Sequence, residues 1–313
     1  MRYSRPTATV PVVACPSSNI ARPGITQTIT TMRITSLLIA IMLTVLATEA
    51  GAQGIIRPKT STTTKPATKP QPRAQAKRRP AAVANPLQKL AADMVYVEGG
   101  TFTMGAAAAE DYWNAENAKP AHQVTVRSFY ICRYETTQAL WQKVMGHNPS
   151  EQKLGGNHPV ESVSWNDIQK FIRKLNALTG KHYRLPTEAE WEWAARGGKR
   201  SQGYRYSGSN NIDEVAWYKR NTHDRHMPVG TKRPNELGLY DMSGNVYEFC
   251  GDGYAPYTSD VQNNPCPAAA DGDHPMRGGS FVDDEDNCRC SYRHGQSPIF
   301  SHNRYGFRLA MSE

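Results

Sequence analysis

The stretch best suited to chemistry in this sequence is Leu237–Cys250, which reads Leu-Gly-Leu-Tyr-Asp-Met-Ser-Gly-Asn-Val-Tyr-Glu-Phe-Cys. It holds glycines, an asparagine and two carboxylates, Asp241 and Glu248. Turns need Gly and Asn but have no general need for two acidic side chains. Carboxylates combined with carbonyls from a bent backbone are the ligands that calcium prefers. We therefore predict a calcium site here; the alternative is a glycine-rich turn leading into a buried strand.

A second group of reactive side chains is Cys288 and Cys290. On an extended strand, residues two apart face the same side with Cα atoms ~6.6 Å apart. Such a pair could share a metal ion but would form a strained disulfide. The alternative is a structural role, because cysteines of exported proteins often form disulfides. Three other cysteines are candidate partners, and the sequence does not fix the connectivity: Cys132, Cys250 and Cys266.

Other chemistry finds little support in the sequence. The histidines show no metal-ligand spacing on a helix, and we expect His223 and His226, in a polar loop, to be solvated. The acidic run 283–286 could bind a cation but is more typical of a solvated loop. No phosphate-binding loop and no Gly-x-Ser-x-Gly elbow is present.

Charge divides the chain into two parts. Residues 1–92 carry 13 Lys and Arg and one acidic residue, a balance of +12, whereas residues 93–313 carry 24 Lys and Arg against 27 Asp and Glu, a balance of −3. The net charge of +9 therefore belongs to the N-terminal part. The remainder offers no electrostatic reason to expect nucleic-acid binding.

The N-terminal part contains a predicted secretory signal over residues 32–52. Met32 is followed by one arginine, by a mostly apolar run over residues 37–47 and by the small residues Ala50 and Ala52. That run is too short to span a membrane, which takes ~20 apolar residues, so we expect export without a transmembrane span. Residues 1–31 are then interpreted as an upstream extension before the true start.

Residues 53–92 are predicted to be a basic spacer rich in Pro, Thr and Lys, because such a composition cannot build a core. The spacer is interpreted as a soluble tether, with contact to an anionic envelope surface as the alternative. For residues 1–31, the alternative to an upstream extension is a lipid-anchor site at Cys15, which ends Val-Val-Ala-Cys but has no apolar segment before it.

From Asp93 the pattern predicts an α+β domain of about 220 residues with little regular structure. Residues 94–105 alternate around a Gly-Gly pair and predict a hairpin, and residues 124–131 predict a strand. Three short helices are expected over 136–146, 164–180 and 187–198, the last two opening with capping boxes. The apolar face of the second helix is predicted from five residues at helical spacing: Ile168, Phe171, Ile172, Leu175 and Leu178.

Six phrases along the domain are specific enough to compare with a known family. They are Gly99-Gly-Thr-Phe-Thr-Met-Gly, Pro159-Val-Glu-Ser-Val-Ser-Trp, Arg184-Leu-Pro-Thr-Glu-Ala-Glu-Trp-Glu, Asn235-Glu-Leu-Gly-Leu-Tyr-Asp-Met-Ser-Gly-Asn-Val-Tyr-Glu, Arg277-Gly-Gly-Ser-Phe and Gly306-Phe-Arg-Leu. In order and spacing they resemble the sulfatase-modifying-factor family, whose founding activity is that of the formylglycine-generating enzyme. The resemblance covers residues 93–313 and implies a C-type-lectin-like α+β fold.

The resemblance also implies the ligands of a calcium ion. By comparison with the family, Asp241 and Glu248 would supply side-chain oxygens, and Gly244 and Val246 would supply backbone carbonyls. Asp241 replaces an asparagine of the family pattern, which keeps an oxygen ligand in place. A second calcium site of the family maps near residues 215–217, where its leading asparagine is missing, so we do not expect that site.

The catalytic motif departs from the family pattern. The family's enzymes follow Gly-Gly-Ser with two cysteines five positions apart, which hold copper(I) as thiolates and bind the substrate cysteine. Five positions before Cys288 this sequence has Asp283. Copper(I) needs soft thiolate ligands, so an aspartate does not replace the missing cysteine. We therefore do not expect formylglycine-generating activity.

Three functions remain as hypotheses. The first is an exported, calcium-stabilised module that binds an extracytoplasmic protein or ligand in the cell envelope. The second is a metal-dependent oxidoreductase acting on protein cysteine or small thiols through Cys288 and Cys290, with copper(I) or iron(II). The third is a lectin-like receptor diversified by a retroelement over residues 282–305, which are rich in polar and aromatic residues. The predicted ligand-binding surface comprises Arg277, Ser280, Asp283, Tyr292, Arg293 and Arg308.

Overall fold

A computed structural model describes residues 85–268 and 272–313. The predicted signal at 32–52, the extension at 1–31, Cys15 and most of the predicted spacer lie outside these residues, so those predictions remain predictions. Over the described parts of the chain, no helix has the length and hydropathy that crossing a membrane requires.

The helices of the domain are short. The α-helices are α1 Pro86–Ala92, α2 Gln138–Met145, α3 Trp165–Thr179, α4 Glu188–Ala195, α5 Ile212–Val215 and α6 Lys219–Thr222. Single turns of 3-10 helix lie at Ala115–Ala118, Gly198–Arg200 and Glu285–Cys288.

The strands are equally short. They are β1 Met94–Val97, β2 Gly100–Met104, β3 His122–Val126, β4 Phe129–Cys132, β5 Tyr183–Arg184, β6 Tyr247–Phe249, β7 Gln262–Asn263, β8 His274–Arg277, β9 Arg293–Gln296, β10 Tyr305–Gly306 and β11 Ala310–Ser312. They form three small sheets with the orders β1-β4-β11-β5, β10-β6-β8-β9 and β2-β3-β7. The predicted α+β class with little regular structure is confirmed.

The predicted helix ends are confirmed where local capping defines them. The Ser164 hydroxyl accepts a hydrogen bond from the Asp167 amide and the Asp167 carboxylate accepts one from the Ser164 amide, which together close the first turn of α3. Thr187 and Glu190 do the same for α4. The predicted apolar face of α3 is wrong at Leu178, because 61% of this residue is exposed.

The predicted hairpin at residues 94–105 is wrong. Strand β1 pairs with β4 and strand β2 pairs with β3, so the two segments belong to different sheets. Gly99 lies at the crossing, where a Cβ would come within 2.5 Å of the carbonyl oxygen of Val126. The predicted strand at 124–131 is divided in the same way between β3 and β4. Glycine permits this close backbone approach, and alternation alone does not identify the partner strand.

Helix α1 lies at the end of the predicted spacer. Asn85 caps its first turn by accepting a hydrogen bond from the amide of Leu87, and Leu90 is buried in the core. The packed domain therefore includes residues before Asp93.

Two apolar clusters form most of the core. The first surrounds α3, where the Trp141 ring stacks on Phe171 with centroids 4.9 Å apart and Phe307 packs edge-on against both. The second surrounds α4 and includes Trp191. Strand β6, whose Tyr247 and Phe249 belong to the first cluster, carries Glu248 of the candidate site.

Candidate functional site

The backbone bends repeatedly between residues 241 and 245. Asp241, Gly244 and Asn245 adopt φ values of 56°, 78° and 63°, in the left-handed region. A Cβ on Gly244 would lie 2.2 Å from the carbonyl oxygen of Trp217, so only glycine fits there. The bend brings Asp241 and Glu248 into the interior, where they are 3% and 1% exposed.

A third carboxylate, Glu135, joins them. It accepts hydrogen bonds from the Asn245 side chain at 2.6 Å and from the Val246 amide at 3.0 Å. Burial, followed by the charges of Asp241 and Glu248, raises the pKa of Glu135 well above its usual range. Burial also raises the pKa of Asp241 to about 6. Sequence reasoning missed Glu135, which lies more than a hundred positions earlier and belongs to no motif.

Within the described part of the chain, Arg308 supplies the guanidinium that pairs with one of these carboxylates, Glu248. It donates to both oxygens of Glu248, and the Trp191 indole donates to the same carboxylate at 2.7 Å. Three buried carboxyl groups facing one guanidinium would carry excess negative charge if all were ionised, and a divalent cation would neutralise that charge. One oxygen of Asp241, Oδ1, is buried without a hydrogen-bond partner.

These observations fit the predicted calcium ligands in part. Asp241 Oδ1 is an unused oxygen, whereas both oxygens of Glu248 already accept hydrogen bonds. Within residues 85–268 and 272–313, no three His, Cys, Asp or Glu side chains are grouped so that they could hold a metal ion by themselves. A cation at this position would therefore depend on backbone carbonyls, the role predicted for Gly244 and Val246.

The predicted ligand-binding surface is wrong in its main residues. Arg277 and Arg308 are 0% exposed and Arg293 is 1% exposed, and Ser280 and Tyr292 are also buried. Each arginine is paired with a buried carboxylate: Arg277 with Glu192, Arg293 with Glu188 and Arg308 with Glu248. A planar guanidinium satisfies a buried carboxylate through two donors, so these arginines hold the fold together and do not face a ligand.

Of the predicted surface residues, Asp283 alone retains partial exposure. Its carboxylate accepts a hydrogen bond from the Ser280 hydroxyl and lies 3.3 Å from Arg304. The side chain is 13% exposed. Burial raises its pKa. An aspartate bonded to serine and arginine thus stands at position 283, which the sequence comparison above predicts to match a cysteine of the family's enzymes.

The two cysteines do not form a pair. Cys288 ends a 3-10 helix, so the strand geometry assumed for it and Cys290 is wrong. Cys288 packs with Tyr206, Ile212 and other members of a small cluster, whereas Cys290 packs in the cluster around α4. Burial raises the pKa of Cys290 to about 12 and that of Cys288 well above its usual range. Both are protonated thiols at neutral pH, which are poor nucleophiles and poor metal ligands.

In the described part of the chain, no disulfide joins any two of the buried cysteines named as candidate partners. Cys132, Cys250, Cys288 and Cys290 are buried thiols. Cys290 lies with its sulfur 3.7 Å from the Ala195 carbonyl oxygen, and Cys288 lies 3.8 Å from that of Asp284. They behave as small apolar side chains in the core.

Tyr247 and Tyr292, which lie near Asp283, belong to a series of aromatic contacts. Tyr292 stacks on Trp113 with centroids 6.3 Å apart, and Tyr247 lies against Tyr292 and Tyr305. Phe300 packs on Tyr305. Trp113 and Phe300 are 68% and 48% exposed, although large apolar side chains are usually covered. Sequence reasoning did not single out Trp113, which lies in a loop and belongs to no motif.

Comparison with known protein families assigns the chain to a family. The family described as the sulfatase-modifying factor enzyme 1-like domain matches residues 80–313. The chain belongs to this family. The match begins before α1, in agreement with the packing of that helix.

Known relatives carry different functional names. The chaperone protein LppX of Paenibacillus barcinonensis is 38% identical over 211 residues, which cover 50% of this chain and 70% of LppX. The formylglycine-generating enzyme of Streptomyces coelicolor is 30% identical over 285 residues, covering 69% of this chain and 88% of the enzyme. Among solved structures, Treponema denticola variable protein 1 is similar with a TM-score of 0.64 and 31% identity, covering 70% of this chain and 95% of that one. The family therefore includes proteins that are named as an enzyme and proteins that are not.

The prediction for His226 is wrong. It is fully buried, with its ring edge-on to Phe281, and its Nδ1 lies 3.0 Å from Nδ1 of His158. Burial, followed by the charge of His158, lowers its pKa to about 4. The polar residues around His226 in the sequence predicted a solvated loop, and they gave no sign that the His226 side chain itself is buried.

Proposed function

We propose that this domain is an exported, calcium-stabilised binding module of the sulfatase-modifying-factor family without formylglycine-generating activity. The observation that carries the proposal is the placement of Cys288 and Cys290 in separate apolar clusters as protonated thiols. The predicted copper(I) site needs two thiolate sulfurs close enough to bind the same ion. Asp283, held by Ser280 and Arg304, is a hard oxygen group that does not serve that metal.

The support for calcium is the grouping of three buried carboxyl groups, those of Glu135, Asp241 and Glu248, together with the unused oxygen of Asp241. Calcium would bind through Asp241 and Glu248 and through the carbonyls of Gly244 and Val246. It would supply positive charge and would add to the backbone hydrogen bonds that hold the bend, from Gly244 to Gly278 and from Asn245 to Trp217. Its role is structural.

The ligand would bind beside Asp283, at the exposed aromatic side chains. Trp113 and Phe300 offer apolar area to a partner, and both are anchored by tyrosines beneath them. Aromatic residues give much contact area for little loss of side-chain entropy, which suits recognition. LppX, a relative named as a chaperone protein, supports a role in binding outside catalysis. Export is supported by the predicted signal at 32–52.

The test is an anaerobic copper(I) titration of the full chain, with a parallel assay for oxidation of a cysteine in a sulfatase-type peptide. We expect no cysteine-dependent copper uptake and no peptide oxidation. Restoring the family pattern by Asp283→Cys provides the comparison. Copper uptake by the unmodified chain that disappears on Cys288→Ser would overturn the proposal in favour of the oxidoreductase hypothesis with copper(I) or iron(II).

A receptor diversified by a retroelement is a second candidate, favoured by the likeness to Treponema denticola variable protein 1. Within residues 282–305, Asp284 and the run 299–302 are exposed and could vary without loss of the fold, whereas Tyr292 and Arg293 could not. This candidate requires a near-identical template repeat and a reverse transcriptase beside the gene. If the genomic neighbourhood lacks the template repeat and the reverse transcriptase, this candidate function is excluded.

A further inference from the structure

A loop over residues 223–230 contacts the bend of the proposed calcium site at both ends of that bend. The Gly230 amide donates to Oδ2 of Asp241 at 2.7 Å, and the Met227 amide donates to Oδ1 of Asn245 at 2.9 Å. The Asn245 side chain returns a hydrogen bond to the Met227 carbonyl at 3.3 Å. This loop is referred to as the strap, because its amides bond to the first and last residues of the bend.

The two ends of the strap have backbone conformations suited to hinges. His223 and Asp224 adopt φ values of 51° and 57°, and Gly230 adopts 75°. A left-handed conformation is uncommon for residues other than glycine and stores strain. A Cβ on Gly230 would lie 2.5 Å from a ring carbon of Tyr134, so glycine lets the amide approach Asp241 past this ring. Changes of φ and ψ at a few such positions are enough to swing a loop.

Little apolar packing holds the strap. Within residues 223–230, His226 is the only residue that is buried, and its ring lies edge-on to Phe281. The three residues before it, His223 to Arg225, are exposed. Segments with few buried apolar contacts open locally at a lower free energy than the core does. The strap therefore depends on its hydrogen bonds and on the anchorage of His226.

The anchorage comes from a second loop, residues 152–158. Nδ1 of His158 and Nδ1 of His226 are 3.0 Å apart, a hydrogen bond between the two rings. The Gln152 side chain donates to the Asp224 carbonyl at 3.0 Å and accepts from the His226 amide at 3.3 Å. None of these four residues is a predicted calcium ligand. The anchorage can therefore be changed without altering a ligand of the ion.

We propose that the strap gates calcium exchange, with the hydrogen bond between His158 and His226 as its latch. The strap holds Asp241 through Gly230, and Oδ1 of the same carboxylate is the unused oxygen. While the latch is closed, Asp241 is fixed and the bound ion is retained. Release of His226 frees the strap from the bend and lets the ion exchange with solvent. This inference rests on the proposed calcium site.

The first experiment measures calcium release from the full chain. The protein is loaded with calcium and mixed rapidly with an excess of a fluorescent calcium chelator. We expect His158→Ala to release the ion roughly three- to tenfold faster than the unmodified chain, the factor that corresponds to one hydrogen bond of ordinary strength. His147→Ala, at an exposed histidine, should release it at the unmodified rate. Gln152→Ala removes two other bonds to the strap and should also accelerate release.

The second experiment detects opening of the strap itself. Arg225 is exposed within the strap, and cleavage after it by trypsin requires the backbone to open locally. Peptide mapping should show Arg225 cleaved faster in His158→Ala than in the unmodified chain. Calcium should slow this cleavage in the unmodified chain. Cleavage after Lys181, an exposed residue that follows α3, should not differ between the variants.

The outcomes separate this inference from the proposed function. If the unmodified chain binds calcium but both His158→Ala and Gln152→Ala release it at the unmodified rate, the gate is overturned and the calcium site stands. If the unmodified chain binds no calcium, the calcium site and the gate are both overturned. Equal rates of cleavage at Arg225 in His158→Ala and in the unmodified chain would show that the latch does not hold the strap, which also overturns the inference.

Discussion

The guanidinium of Arg308 clasps the carboxylate of Glu248 with two hydrogen bonds, from Nε to Oε2 at 2.6 Å and from Nη2 to Oε1 at 2.5 Å. Both side chains are fully buried or nearly so. Arg308 also donates to the carbonyls of Cys132 and Tyr240. One side chain near the end of the chain therefore connects β4, the bend at 237–245 and β6.

Removing this guanidinium should be strongly destabilising. Arg308→Met would leave the Glu248 carboxylate buried without its cation, and breaking a buried pair costs about 3–5 kcal/mol. The free energy of unfolding in urea measures the loss. Lys219→Met is the matched control, because its ion pair with Asp284 is exposed and we expect a change below about 1 kcal/mol. Equal losses for the two variants would contradict the role given to Arg308.

Calcium removal should destabilise the unmodified chain. A ligand bound only by the folded state stabilises it by about 2.7 kcal/mol at one hundred times its dissociation constant. Chelator should therefore lower the melting temperature, and calcium should restore it. Asp241→Ala should abolish this response, whereas Asp111→Ala, at an exposed acid, should keep it. If chelator lowers the melting temperature of Asp241→Ala as much as that of the unmodified chain, then Asp241 is not a calcium ligand.

The buried thiols should be unreactive in the folded protein. Thiol reactivity requires exposure and thiolate, and burial raises the pKa of Cys132 to about 11 and of Cys290 to about 12. Alkylation followed by peptide mapping should leave Cys132, Cys250, Cys288 and Cys290 unmodified in buffer. All of them should be modified in denaturant. Rapid native labelling of Cys288 would show an accessible thiol and would revive the oxidoreductase hypothesis.

His294 should make stability depend on pH. Burial, followed by the charge of Arg304, lowers its pKa from 6.5 to about 4. Its ring faces Tyr247 and Tyr292. Because the unfolded chain binds the proton more readily, this group's contribution is fully present above pH 6.5. It is lost as the pH falls from 6.5 towards 4, by at most about 1.4 kcal/mol per pH unit.

The pH prediction is measured as a difference between variants. Urea unfolding at pH 7 and at pH 5 should show a smaller loss of stability for His294→Gln than for the unmodified chain. His302→Gln, at an exposed histidine, should behave like the unmodified chain. If His294→Gln loses as much stability on acidification as the unmodified chain, then His294 is not the group responsible.

Local features of the fold were predictable because their causes are local. A capping box links residues three positions apart, as at Ser164 and Asp167, and a left-handed glycine such as Gly180 ends α3. The family phrases lie along one stretch of chain and were recognised in order. The bend around Gly244 was predicted because glycine and asparagine adopt positive φ with little strain.

By itself the sequence determined the α+β class, the helix starts that capping boxes define, the family and the absence of the paired cysteines. Only the tertiary structure decided that β1 pairs with β4, that Arg277 and Arg308 are buried, and that Cys288 and Cys290 lie in separate clusters. The physical reason is sequence separation. An arginine is solvated until a carboxylate from a distant segment is buried against it, and Glu192 lies 85 positions from Arg277. No local pattern specifies that encounter; it follows from packing of the whole domain.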